Sequence, residues 1–294
     1  MLVTSDVYDI PHIARMGRYD WNEWLIAGID FYGATWPGFQ RTCQFSVEAA
    51  EFLNQKKDMV YGGYDLVGAS GTRQLRPASI YKAAQDSGNR YEDKAIGTLL
   101  RGVLKAPEGE GSSYIGGAMG MSGQPEARRF SGRWIYVLDR QKRIKLATTL
   151  LSKAVCLLDV EYGYFFIRDN LMMPETYGAG MTAGCLVLSR TTGDQDEIHN
   201  WGKYKRGDYW REASPRLRDV YEVNLISDRH LARNVNGLKL GDWIIKDKAR
   251  GNLAPFENGT YLWTLTTEQM QSIRPDLMSA DAILARHERV YRPD

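Results

Sequence analysis

Residues 144–168, IKLATTLLSKAVCLLDVEYGYFFIR, carry the strongest structural signal in the chain. In the first half, apolar side chains recur at the i, i+3, i+4 and i+7 spacing of an amphipathic helix, which we predict over residues 144–158. The second half changes to a run of aromatic and β-branched residues, which predicts a strand over residues 162–168. Because an amphipathic helix has to bury its apolar stripe, this stretch predicts a helix packed on a sheet.

Upstream of this unit, strand-like and helix-like segments alternate. Residues 24–32 and 133–139 are rich in side chains that fit a pleated sheet, and each predicts a strand. Residues 46–57 and 89–104 each predict a helix, because each begins with a capping residue and continues with an apolar face. The order of these segments favours a fold that combines both element types.

Downstream, the last third of the chain has sharper boundaries. Residues 220–226 alternate as a strand does. Ser227 can cap a short helix after that strand, and Gly237 stands where a helix C-cap is expected.

A hairpin and a final helix are predicted near the C-terminus. Asn258-Gly259 lies between two strand-like runs, and both central residues of a type I′ turn need a positive φ, which Asn and Gly tolerate. Thr266 and Gln269 have capping-box spacing at the start of the next helix, which we expect Pro275 to disturb.

Two long segments lack either period, and we predict them to be loop insertions. Residues 107–129 are dense in glycine, and residues 190–219 are polar with interspersed aromatic side chains. With no clear composition break, we predict one α+β domain over residues 1–294, in which mixed, largely antiparallel sheets pack with helices. If the domain divides, the division is expected near residues 170–190.

Composition and charge narrow the functional class. The 294 residues are 43% hydrophobic, enough for a large core, and 38 basic against 36 acidic residues leave a net charge of +2. This balance does not indicate direct binding of nucleic acid. We see no export signal and no segment with the roughly 20 apolar residues of a membrane span. Three widely spaced cysteines fit reduced core thiols, so we expect a cytoplasmic protein of undetermined oligomeric state.

Motifs for catalysis and cofactor binding are incomplete. GASG at 68–71 is one residue short of a G-x-S-x-G elbow. Residues 178–183 match the loose G-x-G-x-x-A pattern but precede a predicted strand where a helix should begin. The four histidines are scattered, with no pair at metal-binding spacing. We therefore expect a protein that is not an enzyme, with no cofactor and no metal ion.

The densest acidic cluster is formed by Asp194, Asp196 and Glu197. Such carboxylates are either solvated loop residues or part of a binding surface, and the pattern of an EF-hand is not completed. Two alternatives stay open at this point. One is a metal-dependent hydrolase whose carboxylates converge only in the fold, and the other is a scaffold or adaptor protein.

The last third of the chain resembles a known family. The segments are VYEVNLISDRHL at 220–231, GLKLGDWI at 237–244 and GNLAPFENGTYLWTLTTEQMQSIR at 251–274. Their order is similar to that of the immunity protein 52 family, which belongs to the immunity proteins of polymorphic-toxin and type VI secretion systems. Weaker likeness continues upstream in the expected order.

The resemblance implies a cytoplasmic antitoxin that binds and neutralises a cognate toxin, often a nuclease effector of the restriction-endonuclease fold. An inhibitor can oppose the cationic active site of a nuclease with carboxylates, while aromatic side chains supply most of the affinity. On this hypothesis the toxin-interface candidates are Asp194, Asp196, Glu197, Trp201, Tyr204 and Trp210, with Glu108 and Glu110 as a second set.

Overall fold

The computed structural model describes residues 25–33, 39–54, 59–68, 71–75, 82, 85, 95–104, 114–115, 132–134, 140–169 and 192–286. Helices in this part of the chain are α1 (Phe39–Asn54), α2 (Arg140–Leu158), α3 (Thr192–Arg206), α4 (Asp228–Leu231), α5 (Leu240–Ile245) and α6 (Thr267–Ser279). Strands are β1 (Leu25–Gly33), β2 (Met59–Gly68), β3 (Gly71–Leu75), β4 (Ala95–Leu104), β5 (Tyr114–Ile115), β6 (Gly132–Trp134), β7 (Val160–Asp169), β8 (Val223–Ser227), β9 (Asn234–Val235), β10 (Leu238–Lys239), β11 (Asn252–Pro255) and β12 (Thr260–Thr264). Single 3₁₀ turns occur at Lys248–Arg250 and Glu257–Gly259.

The main sheet has six strands in the order β11-β12-β8-β7-β1-β6, and every neighbouring pair is antiparallel. Its longest pairing joins β1 to β7, from Leu25 opposite Asp169 to Gly33 opposite Val160. The strands predicted at 24–32 and 162–168 are thus confirmed, and they are neighbours. The α+β class with antiparallel sheets is confirmed as well.

Helix α2 covers one face of this sheet and contacts β1, β7 and β8. Its apolar stripe is buried as the spacing predicts, although the helix begins four residues earlier than expected. Gly163 on β7 permits the close approach. A Cβ at this position would lie 2.9 Å from Leu151 Cδ2 and 3.0 Å from the Asp30 carbonyl oxygen.

Helix α1 contacts α2 and also β2 and β4 of a second, four-stranded sheet in the order β3-β2-β4-β5. The prediction of a helix over residues 89–104 is wrong, because Ala95–Leu104 pairs along β2 as strand β4. The helix predicted from Ser46 begins at Phe39, so Ser46 lies inside α1 and does not cap it.

The opposite face of the main sheet is aromatic. Side chains alternate along β7, and Tyr162, Tyr164 and Phe166 all enter one buried cluster with Tyr32 of β1. The other side of this cluster comes from three helices, with Trp201 on α3, Trp243 on α5 and Ile273 on α6. The main sheet therefore lies between two helical layers, with α2 on its other face.

Of the two capping predictions for residues 227–237, the one at Ser227 is confirmed and the one at Gly237 is not. Ser227 precedes α4, and its backbone N–H donates to His230 Nδ1 at 3.2 Å. Helix α4 ends at Leu231, however, so the C-cap prediction for Gly237 is wrong. Gly237 (φ 82°) and Asn236 (φ 50°) instead form the turn between β9 and β10.

The hairpin and the final helix are confirmed. Asn258 (φ 50°) and Gly259 (φ 72°) both have positive φ between β11 and β12. Thr266 N–H donates to Gln269 Oε1 at 2.9 Å, and Gln269 N–H donates to Thr266 Oγ1 at 3.2 Å. The expected disturbance at Pro275 is wrong, because α6 continues to Ser279.

The predicted insertions need correction. Residues 190–219 are not a loop throughout, since α3 occupies Thr192–Arg206. Of residues 107–129 the structure describes only Tyr114–Ile115, as strand β5, and residues 170–190 lie outside the described part.

The cysteine prediction holds for one residue. Cys43 is buried, whereas Cys156 is exposed, so the prediction of a core thiol is wrong for Cys156. Cys185 lies outside the described residues.

Candidate functional site

Helix α3 is held against the aromatic face of the sheet by Trp201. This indole is fully buried, and its Nε1–H donates to the Tyr32 hydroxyl at 3.1 Å. The Trp201 ring also forms T-shaped contacts with two tyrosine rings, its centroid lying 5.2 Å from that of Tyr32 and 5.8 Å from that of Tyr162. Burial of so large a ring with a satisfied N–H fixes the helix in position and rotation.

A buried ion pair makes the second attachment of α3. Arg218 Nε donates to Glu197 Oε1 at 2.9 Å, and neither side chain is exposed. Arg218 Nη1 also donates to the Tyr164 hydroxyl at 2.8 Å, and the Arg218 backbone N–H donates to the Tyr162 hydroxyl at 2.9 Å. Such a pair is stable only where geometry and added hydrogen bonds offset the loss of hydration.

The tyrosine hydroxyls behind α3 are structural. Tyr32 and Tyr164 hydroxyls lie 3.1 Å apart, and Tyr164 donates to Asp30 Oδ2 at 3.4 Å. Burial raises the pKa of Tyr162 and Tyr164 well above the ordinary value for a phenol. Both groups therefore stay neutral and serve as hydrogen-bonding groups in the core.

The segment after α3 is tied to its last turn through Tyr204. The Tyr204 hydroxyl accepts from the Arg216 backbone N–H at 2.7 Å and donates to Glu212 Oε2 at 2.8 Å. Burial raises the pKa of Tyr204 to about 12. The Arg216 guanidinium lies over the Tyr204 ring, 4.5 Å from its centroid.

The outer side of α3 presents polar groups. His199, Asn200 and Lys203 are exposed at i, i+1 and i+4, and we call them the α3 face. Beside it lies a cleft of about 300 Å³, which we call the cationic cleft. It is lined by Asn200, Lys203, Tyr204, Asp208, Arg216, Leu284 and Arg286.

Two of the cations in this cleft, Arg216 and Arg286, are paired with acids. Arg216 Nη2 donates to Glu212 Oε1 at 3.2 Å, and its Nη1 lies 3.6 Å from Asp281 Oδ2. Arg286 pairs with Asp281 and donates to the Met278 carbonyl oxygen at 2.6 Å. The exposed Lys203 has no ion pair among the described residues. The arrangement suits a polar or charged ligand better than an apolar one.

The structure separates the sequence-predicted interface residues. Glu197, Trp201 and Tyr204 are buried and contact the chain's own core. Trp210 is half-buried, with its ring centroid 4.6 Å from that of Tyr209.

The other four candidates give less information. Asp194 and Asp196 are in the first turns of α3, and Glu108 and Glu110 lie outside the described residues.

Sequence reasoning missed the residues that matter most to this arrangement. Arg218 and Arg216 lie in a stretch that we predicted to be loop, and Arg286 follows the last predicted helix. One signal could have pointed to Arg218: Tyr162 and Tyr164 alternate along a predicted strand, so a buried phenolic face needed polar partners.

Ser227 lines a second cleft of about 310 Å³ and contacts His230, which is fully buried and is not among the residues lining that cleft. Ser227 Oγ lies 2.9 Å from His230 Nδ1, and His230 Nε2 lies 3.0 Å from the Tyr209 hydroxyl. The Ser227 N–H also donates to Nδ1, so Nε2 carries the proton. Burial lowers the pKa of His230 to about 3, and the Arg229 charge acts in the same direction. A base this weak is poorly suited to take a proton from the Ser227 hydroxyl. The contact is better explained as a helix cap, in which His230 Nδ1 accepts from the Ser227 N–H at the start of α4.

Metal and membrane sites were sought in the same residues. Across the described ranges, no group of three or more His, Cys, Asp or Glu side chains gathers closely enough to hold a metal ion. No helix in those ranges is long and apolar enough to cross a membrane.

Comparisons with known proteins include a structural likeness. No protein-family model matches the chain, and no curated protein matches it. The chain is similar to the Pseudomonas aeruginosa T6SS protein PA0821, with a TM-score of 0.43 and 11% sequence identity. The similarity covers 82% of this chain and 64% of that chain, so less than two thirds of the other protein is matched. Likeness at this level carries no argument about fold or function, and the family resemblance stays a prediction.

Proposed function

We propose that this chain is an immunity protein that binds a cognate protein toxin in the cytoplasm and neutralises it by direct contact. The contact surface on this proposal is the α3 face together with the cationic cleft. The toxin is a nuclease effector of the restriction-endonuclease fold, as the sequence resemblance implies. The chain acts as a binding protein and not as an enzyme.

The attachment of α3 is the observation that carries the proposal. Trp201 and the Glu197–Arg218 pair fix the inner side of the helix to the sheet, while its outer side is left to solvent. A surface that is already ordered loses little conformational entropy when a partner binds. The α3 face therefore has the preorganisation that a tight inhibitor needs.

The chemistry of the surface supports a protein partner. The α3 face offers an imidazole, an amide and an ammonium group, and the cleft beside it adds guanidinium groups and the Asp208 carboxylate. Charged groups at an interface chiefly set the association rate and the choice of partner. Both properties matter for an inhibitor that has to recognise one toxin among many.

Co-expression tests the proposal. The chain is produced in a bacterial host together with a candidate toxin domain taken from a gene next to its own, and survival is scored. We expect rescue from this toxin and none from unrelated toxins, with a stable complex in gel filtration. Growth arrest despite folded chain in the cell would contradict the proposal.

A matched pair of substitutions locates the surface. Asn200 on α3 and Asn252 on β11 are both exposed. We expect Asn200→Trp to abolish rescue, because a large ring on the α3 face blocks close contact, and Asn252→Trp to rescue as well as the parent chain. Equal rescue by both variants would move the interface away from α3.

The hydrolase alternative has one specific observation in its favour, the contact between Ser227, which lines the second cleft, and the buried His230. A capping role predicts that Ser227→Ala loses stability but leaves rescue intact at a temperature where the variant is folded. A hydrolytic activity of the purified chain that this substitution abolishes would favour the enzyme instead.

A further inference from the structure

The charge of the cationic cleft is opposite in sign to what the sequence suggests for this region. Among the lining side chains, Lys203, Arg216 and Arg286 are cationic, and Asp208 is the single carboxylate. The acid of the predicted trio whose side chain is described, Glu197, faces inward to Arg218. The described exposed surface at α3 therefore favours an anionic partner group.

The two guanidinium groups retain hydrogen-bonding capacity. Each guanidinium has five N–H donors. Arg216 Nη2 donates to Glu212 Oε1 at 3.2 Å, and Nη1 lies 3.6 Å from Asp281 Oδ2, so the terminal nitrogens keep further N–H donors. Arg286 likewise uses its two terminal nitrogens on Met278 and Asp281.

The supporting acids orient these cations and do not fill the cleft. Glu212 and Asp281 are not among the lining residues, and both also bind Arg233, at 3.1 Å each. The Tyr204 ring supports the flat side of Arg216. The guanidinium groups are thus held in place before any ligand arrives, and Lys203 stands exposed at the rim.

We infer that the cationic cleft is a carboxylate-binding site, and that an aspartate or glutamate side chain of the toxin enters it between Lys203, Arg216 and Arg286. The inference rests on the proposed function and names the chemistry of the partner at that site. Paired contacts from guanidinium to carboxylate are short and directional, so one acidic side chain can set the register of the complex.

Charge reversal at the rim tests the inference in the full chain. Lys203→Glu is compared with Lys246→Glu, because both lysines are exposed and Lys246 is outside the cleft. Binding to a nuclease-inactive form of the toxin is measured by calorimetry at two salt concentrations. We expect Lys203→Glu to weaken binding by about tenfold or more and to change its salt dependence, and Lys246→Glu to leave both unchanged.

Reciprocal charge reversal then identifies the partner residue. Exposed aspartates and glutamates of the toxin are changed to lysine one at a time, and one such variant should regain affinity for the Lys203→Glu chain. If the parent chain binds the toxin and Lys203→Glu binds equally well, the carboxylate inference fails while the proposed function stands. If the parent chain neither binds nor rescues, both fail.

An anionic nucleic acid is the competing occupant. A labelled single-stranded oligonucleotide is titrated into the same proteins, and we expect no binding that depends on Lys203. Binding to the oligonucleotide that Lys203→Glu abolishes would overturn the inference in favour of a phosphate ligand.

Discussion

Replacing Glu197 by glutamine removes one charge from the core and keeps the shape of the side chain. In the parent chain, Glu197 Oε1 accepts from Arg218 Nε at 2.9 Å, and both side chains are fully buried. The variant leaves the Arg218 guanidinium in the same surroundings without the charge of Glu197. Hydration cannot compensate, since solvent does not reach the group.

We expect Glu197→Gln to lower the free energy of unfolding by about 3–5 kcal/mol, the range for breaking a buried ion pair by removal of one partner. Domains are commonly stable by only about 5–15 kcal/mol, so the loss is a large fraction of the total. The hydrogen bond from Arg218 Nη1 to the Tyr164 hydroxyl should survive and keep the loss near the lower bound.

Urea unfolding measures the effect, because urea is uncharged and does not screen the ion pair as guanidinium chloride would. Lys203→Gln is the control, an exposed residue on the same helix that should change stability by no more than about 0.5 kcal/mol. Replacing both Glu197 and Arg218 by methionine should recover part of the loss, because no charge is then buried alone.

Two results would refute this reasoning. A loss below about 1 kcal/mol for Glu197→Gln would mean that the ion pair does not hold α3 in place. A double variant less stable than Glu197→Gln would mean that the other contacts of Arg218, such as that with the Tyr164 hydroxyl, outweigh the cost of leaving its charge without Glu197.

Three further predictions concern single groups. Gly163→Ala should lower the free energy of unfolding by about 1–3 kcal/mol, and with it the melting temperature, because the added Cβ would lie 2.9 Å from Leu151 Cδ2. An unchanged melting temperature would mean that α2 does not pack closely on β7 at this position. His230, with a pKa of about 3, should stay neutral at pH 5, with its proton on Nε2 in nitrogen NMR spectra. The stability it contributes is present above its pKa in the unfolded chain, near 6.5, and is lost as the pH falls towards 3. A titration midpoint near pH 6.5 in the folded chain would contradict this prediction. Tyr204, with a pKa of about 12, should contribute stability that is present below about pH 10 and is lost as the pH rises through 12. Ultraviolet titration of the parent chain and of Tyr204→Phe measures the ionisation of this phenol by difference. A difference signal with a midpoint near pH 10 would contradict the prediction.

The elements predicted correctly are those whose signals are local. The α2 helix follows from its own spacing, and the Asn258-Gly259 turn and the Thr266 capping box follow from a few residues each. Backbone preference and nearby hydrogen bonds decide these features, so a short window of sequence is enough.

Strand β4 shows where local spacing fails. Its apolar residues also fit one face of a helix, but nine of the ten residues from Ala95 to Leu104 pair with residues of β2, and α1 packs on both strands. Gly97 and Gly102 weaken a helix at this position. Pairing with a distant strand decided the structure, and such pairing is not visible within the segment itself.

Helix α3 was missed because its buried side includes charges. Glu197 and Lys205 lie on that side together with Ile198 and Trp201, so the apolar period is broken in the sequence. Arg218, more than a helix length away in the chain, makes the burial of Glu197 tolerable. The same pairing places Glu197, predicted as part of an acidic surface, inside the fold as an attachment of α3.

Hydrogen–deuterium exchange of the purified chain, alone and mixed with a nuclease-inactive form of the cognate toxin, shows whether α3 lies in the contact surface. We predict a complex in which exchange slows in the second half of α3, in residues 207–216 and in residues 281–286. A complex that protects only segments away from α3, or no complex at all, would contradict it.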